Sequence, residues 1–214
     1  MRGQKKPFPL PLDISYKYLR KNINIVLNNL FHNLIIIMSA DITLQNPCNI
    51  ILAGPSGSGK THKILNILRQ RKFIFSDNPQ HVILFYSVWQ KIYDVMLNEL
   101  LVDEFIEEMP DDKQIKNLLT KHKSSCLIFD DLAQNINSSI EKLFTVNSHH
   151  YNCTIFLLTQ NLFSKNKVWR TISLNCHYFL LTRNPRDPSQ ISHLSSQIFP
   201  RKKNFLGNIC KYYS

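Results

Sequence analysis

The sequence predicts an α/β fold in which a mainly parallel central sheet is covered by helices on both faces. Short runs that are apolar on both faces alternate along the chain with segments whose apolar residues recur at helical spacing. Strands of this kind are typical of parallel sheets, because both faces of such sheets are buried under helices. In addition, three of the five glycines lie together, between the first apolar run and the helical segment that follows it.

Each strand and each helix is predicted from a local pattern of residues. The strands are predicted from runs rich in branched and aromatic residues, and the helices from apolar residues three and four positions apart. The predicted strands cover residues 49–53, 81–86, 126–130, 154–159 and 177–182. The predicted helices cover residues 60–71, 89–105, 111–121, a segment that includes 136–144, and 188–198.

Length and composition fit one domain with a sizeable core, because 43% of the 214 residues are hydrophobic. The five cysteines are scattered singly, which argues against a disulfide framework or a zinc site and indicates a reducing compartment. A formal net charge of +11 indicates a polyanionic partner, with nucleic acid favoured over an anionic membrane surface, or else a solubilising excess of charge. The apolar runs are too short to cross a bilayer, so we expect no membrane span.

The glycine-rich segment GPSGSGKT at residues 54–61 matches the phosphate-binding P-loop pattern G-x-x-x-x-G-K-[ST]. It lies between a predicted strand and a predicted helix, which is the context that the motif requires. We expect Lys60 to contact the β- and γ-phosphates of ATP and Thr61 to offer its hydroxyl to Mg²⁺. The residues expected to surround the nucleotide are Gly54, Pro55, Ser56, Gly57, Ser58, Gly59, Lys60 and Thr61.

We predict that the chain has three parts. Residues 1–38 combine a basic, proline-containing arm with apolar residues at helical spacing over 15–38. Met38 is a second candidate start codon, so this part is either a genuine arm and helix or an extension of the gene model. Residues 39–200 form the predicted P-loop ATPase domain, and residues 201–214 form a basic tail.

Two acidic residues follow a predicted buried strand. Asp130 ends the run CLIFD and is the predicted Mg²⁺-binding carboxylate, which a P-loop site needs at the end of a neighbouring strand. Asp131 comes next, and it either acts as the base that polarises the attacking water or caps the following helix.

Polar and basic residues near the end of the chain complete the predicted site. Gln160 follows the next strand and is the predicted sensor of the γ-phosphate. Arg170, in a predicted loop, is favoured slightly over Arg183 as an arginine finger acting on a neighbouring subunit, although both could equally contact DNA phosphates or solvent. Lys165 and Lys167 are candidate DNA contacts.

Five segments follow one another along the chain: GPSGSGKT, YSVWQKIYD, CLIFDDL, IEKLFTVNSHHYNCTIFLLTQNLF and RTISLNCHYFLLTRNPRD. Over residues 47–199 their order resembles the genome-packaging ATPases of DNA viruses and Polinton/Maverick-like elements. These ATPases belong to the FtsK/HerA branch of P-loop NTPases and are related to the poxvirus packaging ATPase. The P-loop alone is shared by many enzymes, whereas the combination of LLTQNLF, RTISLN and RNPRD is much more specific.

The resemblance implies a sheet of the additional-strand type, with Lys60 and Thr61 as nucleotide and Mg²⁺ contacts. It implies that Asp130 is the Walker B acid, that Gln160 is the sensor and that Arg170 supplies positive charge in trans. Its implied partners are double-stranded DNA, further copies of the chain in a ring, and a viral capsid or portal vertex. The implied location is inside the host cell, in the nucleus or the cytoplasm, or associated with the virion.

The chain departs from the family pattern in two places. Asp130-Asp131 stands where the family usually has Asp-Glu, which puts the role of Asp131 as the base in doubt. Relatives often continue into a further strand, so we consider the tail at 201–214 either complete or truncated.

The favoured function is ATP-driven packaging of double-stranded viral DNA by an oligomeric ATPase. Two alternatives stay open. One is a small nucleoside or nucleotide kinase, which shares the P-loop, and the other is a nucleotide-binding protein that docks on a capsid.

Overall fold

The computed structural model describes residues 34–36, 43–163, 167–182, 184, 186–187 and 189–198. Within these residues seven strands form one sheet in the order β1-β7-β2-β6-β5-β3-β4. The strands are β1 (Leu34–Ile36), β2 (Asn49–Ala53), β3 (His81–Tyr86), β4 (Glu104–Glu107), β5 (Ser125–Asp130), β6 (Cys153–Thr159) and β7 (Tyr178–Thr182).

Helices connect most of these strands. They are α1 (Lys60–Arg69), α2 (Arg71–Ile74), α3 (Lys91–Asn98), α4 (Asp112–Lys121), α5 (Ser138–Lys142), α6 (Ser148–His150), α7 (Lys167–Leu174) and α8 (Ser189–Ile198). A short 3₁₀ turn at Ala133–Asn135 precedes α5, and a π-helical turn at Leu143–Asn147 joins α5 to α6. None of these helices in the described part of the chain is long and apolar enough to cross a membrane.

The predicted mainly parallel sheet is confirmed. Strands β2 to β7 pair in parallel, and β1 alone among the described strands is antiparallel to its neighbour, β7. Strand β6 lies between β2 and β5, so that Leu157 is in register with Ile51 on one side and Phe129 on the other. One additional strand therefore separates the P-loop strand from the strand that ends at Asp130, as the additional-strand type of sheet requires.

Every residue of β2, β5, β6 and β7 is buried, which explains why these segments are apolar without alternation. Successive residues of one strand contribute to opposite core layers, with Ile50 in one layer and Ile51 in the other. Helices α1 and α3 cover the layer that contains Ile50, and α4, α5, α7 and α8 cover the layer that contains Ile51. Helices on both faces of the sheet are thus confirmed.

The predicted helix over 89–105 is wrong in its second half. Helix α3 ends at Asn98, and Leu100 adopts a positive φ of 52°, a conformation that an α-helix cannot continue. Residues Glu104–Glu107 then form β4, an edge strand beside β3. An edge strand has a neighbouring strand on one side only, so it tolerates acidic residues. Because of these residues the segment lacks the apolar pattern from which the other strands are predicted.

Two further predicted helices differ from the structure. The segment 60–71 is divided at Gln70 into α1 and α2. The helix predicted over 15–38 is wrong at residues 34–36, where a run of branched residues pairs as β1 with β7. The rest of that helix, the arm before it and the tail at 201–214 lie outside the described residues.

A capping box begins helix α4. The Asp111 carboxylate accepts a hydrogen bond of 2.7 Å from the Gln114 backbone N–H, and the Gln114 side chain accepts one of 3.0 Å from the Asp111 backbone N–H. Two backbone donors that have no partner within the helix are satisfied in this way. The helix predicted over 111–121 is therefore confirmed, with Asp111 as its cap.

We expect Asp111→Ala to lower the free energy of unfolding by about 1 kcal/mol, because the N–H of Gln114 loses its acceptor. Urea denaturation of the variant and the unmodified chain measures this difference. Lys113→Ala, at an exposed position of the same helix, is the control and is expected to leave the midpoint nearly unchanged. Equal losses in both variants would contradict a specific role for the cap.

Candidate functional site

The P-loop connects β2 to α1 at the carboxyl edge of the sheet, as the motif requires. Gly59 has a φ of 79° and immediately precedes α1, so the backbone turns sharply into the helix without the steric cost that a side chain would add. The N-terminus of α1 therefore begins directly at the loop. Backbone N–H groups at such a terminus favour a bound anion, which fits the phosphate site predicted from the sequence.

Gly54 occupies a position that has no room for a side chain. A Cβ atom added there would lie 1.5 Å from Thr182 Oγ1 and 2.8 Å from Thr182 Cβ. The Gly54 N–H also donates a hydrogen bond of 3.0 Å to the carbonyl of Thr159. The start of the P-loop is thus held between the ends of β6 and β7.

Lys60 is buried although it carries a charge. Its Nζ donates hydrogen bonds of 2.9 Å to the Gly54 carbonyl and 3.1 Å to the Pro55 carbonyl. Burial lowers the pKa of Lys60, and the nearby carboxylates of Asp131 and Asp130 act in the opposite direction. A buried ammonium group held by carbonyl oxygens alone is well placed to exchange them for a charged phosphate.

Thr61 and Asp130 meet at the mouth of the P-loop. Thr61 Oγ1 donates a hydrogen bond of 2.8 Å to Asp130 Oδ2, although the two residues are far apart in sequence. Asp130 is only 1% exposed, and this burial raises its pKa, while hydrogen bonds from Thr61 and Tyr93 work against that rise. The Thr61 hydroxyl and the Asp130 carboxylate together offer hard oxygen ligands, which are the kind that Mg²⁺ prefers.

Asp131 lies beside this pair but differs from Asp130 in its surroundings. It is exposed and has a φ of 57°, which turns the chain away from β5. The alternative that Asp131 caps the next helix is wrong, because Leu132 precedes the 3₁₀ turn and Asn137 caps α5 through its side chain. Asp131 as the catalytic base stays a prediction.

Two residues that sequence reasoning missed contact these acids. Tyr93, on α3, donates a hydrogen bond of 2.9 Å to Asp130 Oδ2, and Gln90, just before α3, donates one of 3.3 Å to Asp131 Oδ2. A signal was available in YSVWQKIYD, because this segment follows β3 and β3 is the direct neighbour of β5. Polar side chains that follow adjacent parallel strands meet at the same sheet edge.

Gln160 directly follows β6 and is exposed. Since β6 pairs with both β2 and β5, Gln160 lies at the edge where the P-loop and Asp130 also lie. Its position is compatible with the predicted sensor, and that role stays a prediction.

The predicted loop around Arg170 is wrong. Arg170 is an exposed residue of α7, a helix anchored by buried Trp169, whose indole N–H donates a hydrogen bond of 2.7 Å to the Leu162 carbonyl. Lys167 is the first residue of α7 and is exposed. The other two basic candidates, Lys165 and Arg183, lie outside the described residues.

A second polar cluster lies at the opposite edge of the sheet, where β3 and β4 begin. Glu104 Oε1 is 3.0 Å from His81 Nε2, 3.3 Å from Lys121 Nζ and 3.7 Å from His122 Nε2. The two imidazole rings stack at 3.5 Å with an angle of 9° between their planes. A metal ion bonded in the plane of one ring would lie out of the plane of the other, so this cluster fits an ion-paired sheet edge better than a metal site.

The poxvirus A32 protein family matches residues 38–178 of the chain. The chain belongs to this family. The matched segment of this chain contains the P-loop, Tyr93, Asp130, Gln160 and Arg170, and it ends at the first residue of β7. The resemblance to packaging ATPases related to the poxvirus enzyme, predicted from the motifs, is thereby confirmed.

No curated protein matches the chain. Among solved structures, the genome packaging NTPase B204 from Sulfolobus turreted icosahedral virus 2, in complex with sulfate, is similar to it with a TM-score of 0.47 and 15% sequence identity. The similarity covers 72% of this chain and 86% of B204.

We expect Gly54→Ala to lower the free energy of unfolding by about 2 kcal/mol, because the added methyl group would overlap Thr182. Denaturant unfolding measures the loss. In the double variant Gly54→Ala/Thr182→Ala the closest overlapping atom is absent, so we expect part of the loss to be recovered relative to the sum of the single variants. Strict additivity would contradict the close approach of these residues.

Proposed function

We propose that this chain is an ATPase that couples ATP hydrolysis to the movement of double-stranded viral DNA into a capsid. The observation that carries the proposal is the contact between Thr61 and Asp130 at the mouth of a P-loop, in a chain of the poxvirus A32 family. This contact brings together the nucleotide and metal-binding parts of one hydrolytic site. The B204 protein, described as a genome packaging NTPase, is consistent with the proposal.

In the proposed reaction only the Lys60 side chain has to change its hydrogen-bond partners. Lys60 leaves the carbonyls of Gly54 and Pro55 and binds the terminal phosphates of ATP. Thr61 and Asp130 would hold Mg²⁺, which would supply positive charge to offset the charge of the phosphates. Asp131 accepts a proton from the attacking water, and Gln160 hydrogen-bonds that water or the γ-phosphate.

Phosphoryl transfer redistributes negative charge over the phosphate oxygens, and a cation from a neighbouring subunit can stabilise that charge. We propose that Arg170 supplies this cation to a neighbouring subunit of a ring, because it is exposed on a helix whose other face is anchored in the core. Its place on α7 gives it a rigid support, which an arginine finger needs for precise positioning.

Movement of DNA requires contacts to phosphates that do not depend on base sequence. The formal charge of +11 supports such contacts, and Lys167 offers an exposed cation near Arg170 on the same helix. We propose that loss of the γ-phosphate is detected at Gln160 and transmitted from the end of β6 to α7, which shifts Lys167 against the DNA backbone.

We expect ATP hydrolysis by the purified chain to be stimulated by double-stranded DNA, and the stimulation to fall as salt rises, because bound phosphates release counterions. Phosphate release at several salt concentrations measures both effects. Lys60→Ala is expected to reduce turnover by roughly 100-fold or more, and Lys72→Ala, at an exposed position of α2, is expected to preserve it. Phosphate transfer to a nucleoside or nucleotide instead of water would favour a kinase.

We expect Arg170→Ala to reduce hydrolysis by about 1,000-fold or more if the arginine acts as a finger in trans. Mixing Arg170→Ala with Lys60→Ala is then expected to restore activity, because some interfaces combine an intact Lys60 with an intact Arg170 from the neighbour. The control mixes Lys60→Ala with the double variant Lys60→Ala/Arg170→Ala, in which every subunit lacks Lys60. Activity of the first mixture no higher than that of its separate components would contradict action in trans.

A further inference from the structure

One carboxylate oxygen of Asp130 receives both of the side-chain hydrogen bonds described at this residue. Asp130 Oδ2 accepts from Thr61 Oγ1 at 2.8 Å and from the Tyr93 hydroxyl at 2.9 Å. The two donors come from different elements, α1 and α3, so they fix the plane of the carboxylate from two directions. A carboxylate oxygen can accept two hydrogen bonds, and Oδ2 therefore has its full complement.

We infer that Tyr93 is a positioning residue of the Mg²⁺ site, which holds the Asp130 carboxylate so that its other oxygen, Oδ1, is left to bind the metal or its water. This inference deepens the proposed function and rests on it, because it takes Asp130 as the carboxylate that serves Mg²⁺. It assigns Tyr93 no contact with the nucleotide.

Tyr93 is built to stay in place. Its side chain is fully buried, at 0% exposure, and a buried phenol needs a hydrogen-bond partner. The ring packs among three other aromatic rings, with centroid distances of 5.6 Å to Tyr86, 5.6 Å to Trp89 and 6.1 Å to Phe105. These contacts restrict rotation of the ring, so the hydroxyl presents its proton to Asp130 from a fixed point.

The two donors of Asp130 have different duties in this arrangement. Thr61 would offer its oxygen to the metal while its O–H group still donates to Asp130, so its position depends on whether Mg²⁺ is bound. Tyr93 is not proposed to bind the metal, so it orients the carboxylate whether or not Mg²⁺ is bound. Partners of this kind, which hydrogen-bond a metal ligand without touching the metal, orient the ligand and affect metal affinity more than the binding of other groups.

The test compares Tyr93→Phe with Tyr86→Phe. Both changes remove one hydroxyl from the same aromatic cluster and keep the ring, but only the first removes a donor to Asp130. Binding of a fluorescent ADP analogue is measured with Mg²⁺ and with EDTA, and thermal melting confirms that each variant is folded. The Mg²⁺ concentration that gives half-maximal ATP hydrolysis is a second readout.

For Tyr93→Phe we expect the tightening of ADP-analogue binding by Mg²⁺ to shrink by about 10-fold, with unchanged affinity in EDTA. The half-maximal Mg²⁺ concentration is expected to rise by a similar factor, whereas turnover at saturating Mg²⁺ changes much less. Tyr86→Phe is expected to match the unmodified chain in every measurement.

Three outcomes overturn the inference. If Mg²⁺ tightens binding equally in Tyr93→Phe and the unmodified chain, or if Tyr86→Phe shows the same loss as Tyr93→Phe, Tyr93 has no specific role in positioning Asp130. If the unmodified chain itself binds the analogue no better with Mg²⁺ than with EDTA, the proposed function fails together with the inference. The behaviour of the unmodified chain therefore separates the two failures.

Discussion

The hydrogen bond between Thr61 and Asp130 is the contact on which the rest of the site depends. It joins the first turn of α1 to the last residue of β5, and these segments meet only because β2, β6 and β5 run in parallel and end at one edge of the sheet. The buried strands, the helices on both faces and the sharp turn at Gly59 serve the same end. They bring a hydroxyl and a carboxylate that are distant in sequence to one point beside a helix N-terminus.

This arrangement places charged groups where the fold would be more stable without them. Asp130 and Lys60 are both buried, and burial disfavours the charged form of each. The carbonyls of the P-loop, the hydroxyls of Thr61 and Tyr93, and the attraction between the two opposite charges offset this cost only in part. A magnesium-bound triphosphate brings an anion to Lys60 and a cation to Asp130, so ligand binding is expected to stabilise the fold as well as start the reaction.

Much of the fold could be predicted from the sequence, because its strongest signals are physical constraints on buried strands. Runs such as CLIFD and TIFLLT must lie inside a parallel sheet, and the P-loop pattern identifies which strand precedes the phosphate site. Strand β4 was missed because an edge strand can be acidic, and α7 was missed because its polar residues resemble those of a loop. Tyr93 was missed for another reason, since a tyrosine on an amphipathic helix usually fills the core. Only the structure shows that its hydroxyl lies next to Asp130 and donates a hydrogen bond to it.

The close fit of Gly54 against Thr182 has a mechanical consequence. The backbone of the P-loop is braced on one side by the end of β7 and is tied to β6 through the Thr159 carbonyl, so it has little freedom to follow an arriving phosphate. Adjustment then falls to the Lys60 side chain, whose ammonium group is held by two carbonyls of this same braced segment. The loop backbone therefore stays in place while the Lys60 side chain moves. Its ammonium group leaves the loop carbonyls when a stronger anion arrives and returns to them when the anion departs.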